Sequence, residues 1–110
     1  MDDLYTELQK KTNELTVSIK QLRISGTEYA KAERDYKVLL RQECLKLRDE
    51  GMAIGMIDKT CYGIPKVAEA RFKRDVAETV WTANKEAINS IKLQMRLIEA
   101  QLEREWGTNE

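Results

Sequence analysis

From Pro65 to Trp106 the chain keeps a single rhythm. Apolar residues recur at Val67, Ala70, Ala77, Trp81, Ile88, Ile91, Met95, Ile98 and Leu102. The steps are threes, fours and their sums, which set these residues on one stripe of a helix. No Gly or Pro interrupts the stretch between Lys66 and Trp106. Pro65 suits a first turn, where its missing N–H costs nothing, and Gly107 stands where a C-cap glycine would. The pattern predicts a helix over 66–106, about 40 residues and roughly 60 Å long.

The first half of the chain carries two shorter stripes. Leu4, Leu8, Leu15, Ile19 and Leu22 predict a helix over 3–24. Asp2 and Asp3 suit its positive end, and Lys11 falls on the stripe, where its stem can lie along apolar surface. Tyr29, Tyr36, Leu40, Cys44 and Leu47, widened by Val38, Leu39 and Leu45, predict a second helix over 28–50, with Gly51 ending it. Pairs four apart, Glu33 with Lys37 and Lys31 with Asp35, support its exposed face. Between the two stripes stands Ser25-Gly26-Thr27-Glu28. Gly26 can end one helix, and Ser25 with Glu28 has the spacing of a capping box, so a break or kink is expected. The alternative is a continuous helix that tolerates Gly26 at about 1 kcal/mol.

Residues 51–65 leave the pattern. They hold Gly51, Gly55, Gly63, the single Pro, Met52 and Met56, and their only charges are Asp58 and Lys59. A short helix over about 54–61 fits between Gly51 and Gly63. Such an apolar connector either plugs one end of a hairpin, the favoured reading, or docks a partner through its Met-rich surface. The expected fold is all-α: a long, coiled-coil-like helical hairpin in a single domain, with 3–50 running up, 51–65 turning the corner and 66–106 running back.

Composition agrees and narrows the function. Charged residues make up 35% of the chain, as in long-helix proteins. The 19 basic and 19 acidic residues cancel, so no bulk electrostatic case exists for nucleic acid or membrane. There is no run of about 18 apolar residues and no apolar segment after Met1-Asp2-Asp3, so neither a membrane span nor a secretory signal is expected. Cys44 and Cys61 lack CxxC spacing and read as reduced cytosolic thiols. The chain has no histidine, the commonest general base and metal ligand. It has no phosphate-loop motif, and two cysteines cannot make a four-ligand zinc site. No catalytic, cofactor or metal site is expected.

Charge is distributed unevenly along the last helix. Residues 66–96 hold seven basic and four acidic side chains, and 97–110 hold one basic and four acidic. The helix dipole prefers the reverse. Three readings follow. The basic half of one long helix faces the acidic end of another; an acidic partner binds near Lys66, Arg71, Lys73 and Arg74; or the face is simply solvated. The segment 57–75 also has the outline of a helix-turn-helix, with these basic residues in the first turns of a recognition helix. The great length of the following helix, Glu69 at a position that wants an apolar residue, and the zero net charge all oppose DNA reading.

The runs Ala32-Glu-Arg-Asp-Tyr36, Leu47-Arg-Asp-Glu-Gly-Met52, Arg71-Phe-Lys-Arg-Asp-Val-Ala-Glu78, Glu86-Ala-Ile88 and Glu103-Arg-Glu-Trp-Gly107 together resemble a group of small helical proteins. These are encoded by phages and prophages of Gram-positive bacteria, among early genes near recombination and replication functions. The likeness spans most of the chain; the connector, with Cys61-Tyr62 and Pro65, matches it least. The resemblance implies a setting, the cytoplasm of an infected bacterium, and carries over no catalytic residues.

The expected function is therefore non-enzymatic. The chain binds and modulates another macromolecule, either a phage replication or recombination protein or a host enzyme such as a nucleic-acid-guided defence nuclease. A DNA-binding regulator using 57–75 is the alternative. The candidate partner-binding residues are Met52, Met56, Tyr62, Lys66, Arg71, Lys73 and Arg74. Asn84, Ile88, Ile91, Met95, Ile98 and Leu102 are candidates for self-association as a homodimer, with Asn84 fixing the register as a buried polar residue does in a coiled coil.

Overall fold

The structure, a computed structural model, describes residues 3–109. Three helices account for nearly all of it: α1 (Leu4–Asp49), α2 (Ile54–Tyr62) and α3 (Pro65–Asn109). The fold is an all-α helical hairpin with a short helical connector, and no strand occurs among the described residues. At the start of α1, Asp3 caps the helix by accepting the Thr6 N–H on Oδ1 at 2.8 Å. That bond holds the Asp3 carboxyl below its ordinary value. Asp2 lies outside the described residues.

The expected break at Gly26 is absent: α1 runs without interruption through Ser25-Gly26-Thr27-Glu28. The reason lies in the phase of the buried positions. Leu4, Leu8, Lys11, Leu15, Ser18, Leu22, Ser25, Tyr29, Ala32, Tyr36, Leu39, Glu43 and Leu47 are all buried or half-buried. As far as Glu43 their steps alternate between three and four, which is the heptad repeat of a coiled-coil seam, and a last step of four leads to Leu47. The repeat crosses Gly26 without losing step, so tertiary burial outweighs the glycine's small helix penalty. Ser25 is therefore a buried seam residue instead of a cap. The same phase moves Ile19 off the seam, where it is 36% exposed, and puts Ser18 on it.

Gly107 is likewise not a terminator, because α3 continues through it to Asn109. Gly51 is one. It takes φ of +92°, and the Gly51 N–H reaches the Arg48 carbonyl at 3.0 Å while the Met52 N–H reaches the Leu47 carbonyl at 3.1 Å. This is the Schellman closure of a helix end, which requires the left-handed conformation that glycine adopts without strain.

Helix pairing divides the chain into two compact units, residues up to Ile24 with those from Thr82 onward, and Ser25–Trp81. In the first unit the start of α1 runs antiparallel to the end of α3. The Trp106 indole N–H donates to the Tyr5 hydroxyl at 3.2 Å, and the Asn84 side-chain amide donates to the Gln21 carbonyl at 3.5 Å. Ile88 is buried in this seam, and Ile91, Met95, Ile98 and Leu102 are half-buried in it. Lys11 lies half-buried on the seam, its ammonium turned to Glu14 at 3.3 Å.

The second unit holds the densest packing. Tyr36, Cys61 and Val67 form a buried cluster against which Leu39, Leu40, Cys44, Leu47, Ile64 and Ala70 pack. Helix α2 contributes Ile57 and Cys61 to the interior, so its inner face is the expected plug. Near the other end of this unit Trp81 lies beside Gly26. A Cβ at residue 26 would stand 3.3 Å from the indole Nε1. The indole stacks on Tyr29 with ring centroids 5.2 Å apart. Gly26 thus serves as the recess that admits Trp81.

Two outcomes follow. Trp81→Ala should lower unfolding stability by about 3 kcal/mol, because a large packed aromatic leaves a void that two helices cannot close. Trp106→Ala, at an exposed position, should change it by less than about 0.5 kcal/mol. Gly26→Ala tests the recess itself. In the wild type it should destabilise, whereas in a Trp81→Leu background it should stabilise by up to about 1 kcal/mol, the helix propensity of alanine over glycine. Urea titration of the four variants in this cycle decides it, and an equal effect in both backgrounds would mean that residue 26 and Trp81 do not touch.

Candidate partner-binding surface

The basic residues at the start of α3 have different fates. Lys66 reaches back to α1, where its ammonium lies 2.6 Å from the Glu43 carboxylate. Lys46 supports the same oxygen at 3.3 Å. Glu43 is only 6% exposed and occupies a seam position. Its carboxyl is held below the ordinary value chiefly by the hydrogen bond from Lys66, and Lys66 is raised in turn by its bond to Glu43. The dipole rule that α3 breaks is offset here by an acid from α1 of the same chain.

Arg74 also sits on the seam. Its guanidinium carbon lies 4.6 Å from the Tyr36 ring centroid, and Nε and Nη2 donate to Asp75 Oδ1 at 3.0 and 2.8 Å. That is a cation–π contact inside the unit, with the fork of the guanidinium held from one side. Arg71 lies over the Tyr62 ring at 6.0 Å, and Lys73 is exposed. Of the seven candidate partner-binding residues, Met56, Tyr62, Lys66, Arg71 and Lys73 are exposed, Met52 is half-buried and Arg74 is largely enclosed by its own chain.

An open groove of about 610 Å³ crosses this unit. It is lined by the small side chains Ala32, Ala70 and Ala77 and by both signs of charge, Lys31, Lys66 and Lys73 with Glu28, Asp35 and Glu69. Three cations against three anions leave it without a net field for a phosphate.

The pattern of the sequence hides one further feature. Phe72, Val76 and Val80 are 62%, 46% and 48% exposed. They stand four residues apart on the surface of α3, off the stripe of seam residues Ala70, Arg74, Ala77 and Trp81. Ile54 and Met56 of α2 add exposed apolar surface to the same unit. The signal was present as a step-of-four repeat off the main stripe. Glu43 was legible too, as the seam position between Leu39 and Leu47.

The Glu43–Lys66 pair makes stability depend on pH in a defined sense. A carboxyl lowered in the folded state adds stability above its ordinary value, about 4.3, and loses it as pH falls through the folded value. A raised ammonium adds stability below its ordinary value, about 10.4, and loses it as pH rises through the folded value. The urea midpoint of Glu43→Gln should therefore lie below wild type at pH 7, and the gap should narrow at pH values below about 4. A gap that does not change with pH would show that Glu43 acts by packing alone.

No family model, curated protein or solved structure matches this chain.

Proposed function

We propose that the chain is a non-enzymatic binding protein that modulates another protein, docking it on the outer face of α3 around Phe72. The observation that carries this reading is the exposed row Phe72, Val76 and Val80. A two-helix seam leaves the rest of each helix's surface to water, and that surface normally carries polar residues. A contiguous apolar row there, with an aromatic anchor, has the character of an interface core. Arg71 and Lys73 flank Phe72 in sequence and favour a partner whose apolar patch is rimmed by acids. The outer residues of α2, Ile54, Met56 and Tyr62, extend the apolar surface of the unit.

The resemblance to phage and prophage proteins encoded near recombination and replication genes gives the partner class. It is a phage replication or recombination protein, or a host enzyme such as a nucleic-acid-guided nuclease, met in the bacterial cytoplasm. No helix among the described residues is long and apolar enough to cross a membrane.

DNA reading by α2 and α3 is the second interpretation, favoured by their outline: a nine-residue helix, a turn at Gly63-Ile64, then α3. Against it, Lys66 is tied to Glu43 and Arg74 to Tyr36 and Asp75. That leaves Arg71 and Lys73 among the acids Glu69, Asp75 and Glu78.

The deciding comparison pairs wild type with a Phe72→Asp, Val76→Asp variant and with an Arg71→Glu, Lys73→Glu variant. Far-UV circular dichroism should show equal helicity in all three. Affinity capture from infected Gram-positive host cells should retain a protein on wild type that the Asp variant loses. Fluorescence anisotropy with mixed-sequence duplex DNA at physiological salt should show no submicromolar binding. Identical capture by wild type and the Asp variant would remove the outer row from the account. Salt-sensitive submicromolar DNA binding lost on charge reversal would promote the DNA reading.

A further inference from the structure

Outside this surface, the two cysteines of the chain come together. Both are free thiols. They lie 17 residues apart on different helices, yet the Cys44 S–H donates to the Cys61 sulfur at 3.2 Å. The Cys61 sulfur in turn lies 3.6 Å from the Leu40 carbonyl. We propose that Cys44 and Cys61 form a modification site at which a hydroperoxide closes a disulfide between α1 and α2.

The two thiols are unequal. Cys61 is fully buried in the cluster with Tyr36 and Val67, and Cys44 is half-buried at its edge. An oxidant from solvent meets Cys44 first. Burial, then the hydrogen bond and charge of Cys44, then Glu43 and Asp58, push the Cys61 thiol up to about 11. Cys61 is therefore the resolving thiol, not the attacking one.

The chemistry closes in two steps. The Cys44 thiolate attacks one oxygen of hydrogen peroxide, the O–O bond breaks, and hydroxide leaves to take up the proton shed by the thiol. Cys44 is then a sulfenic acid. The Cys61 sulfur attacks the Cys44 sulfur, and its own proton departs with the sulfenic hydroxyl as water. Two thiols lose two electrons in all, and one peroxide is reduced to two waters. The sulfurs must close by about 1 Å to reach a bond of about 2.05 Å. The product fastens α2, which carries the buried Ile57 and Cys61 and the exposed Ile54, Met56 and Tyr62, to α1.

The test uses the full chain, reduced and then exposed to hydrogen peroxide. Mass spectrometry should show the loss of two hydrogens from the monomer, and a non-reducing tryptic map should contain the peptide of Cys44 joined to that of Cys61. Dithiothreitol should reverse both. Cys61→Ala should instead trap the Cys44 sulfenic acid, which dimedone captures. A second measurement does not depend on variants that fold. In glutathione redox buffers, the ratio of reduced glutathione squared to oxidised glutathione at which half the chain is reduced should be at least tenfold higher in native buffer than in concentrated urea. Four results would overturn the proposal: Cys44 driven to sulfinic acid while Cys61 stays reduced, disulfide-linked dimers in place of the internal bond, both thiols unreacted in the folded chain, or a disulfide more stable in urea than in native buffer.

Discussion

The contact of Trp81 with the Gly26 recess of α1 sets the terms for the unit around it. A Cβ at residue 26 would stand 3.3 Å from the indole, and Tyr29 one turn on stacks against the same ring. An indole of that size needs either a helix break opposite it or a residue without a side chain. The chain uses the second, and so keeps α1 helical from Leu4 to Asp49. With that register fixed, Tyr36 meets Arg74 and Glu43 meets Lys66 without change of phase. An aromatic pair of this kind contributes about 0.5–1.5 kcal/mol beyond its area.

The seam that results is far from uniformly apolar. Ser25, Glu43 and Arg74 occupy it in the second unit, and Lys11 and Asn84 in the first. No buried side-chain polar atom among the described residues lacks a hydrogen-bond partner. Such groups add little net stability over well-packed apolar residues, but a slipped register would leave each of them desolvated and unpaired. They therefore act to select one pairing of two long helices. They also determine which charged groups remain on the surface. Cations that the sequence offers as a patch are partly consumed inside the chain, Lys66 by Glu43 and Arg74 by Tyr36 and Asp75, while Arg71 and Lys73 stay exposed.

Periodicity made most of this legible. The long helix, the connector helix between Gly51 and Gly63, and the antiparallel return follow from where apolar residues fall and where glycines interrupt them. The misreadings share one cause. Local propensity marks Ser25-Gly26 and Gly107 as ends, while their state is decided by residues distant in sequence or by continuation of the helix. Residue type puts Ile19 on the stripe, where the alternation of three and four assigns Ser18. The candidate surface is harder to read from the sequence, because Phe72, Val76 and Val80 differ from core residues only in staying exposed. The Cys44–Cys61 contact joins two helices across the Gly51 turn, and no spacing rule within one helix could reveal it.

The most direct measurement of the account is amide hydrogen exchange across residues 22–31 of the full chain. The seam packing of Leu22, Ser25 and Tyr29 and the seating of Trp81 predict slow exchange through Ser25, Gly26 and Thr27, comparable to that of residues 36–44. Fast exchange at Gly26 and its neighbours, matching the turn at residues 51–53, would mean that α1 is two helices, that the Trp81 recess does not persist, and that the register built on it is wrong.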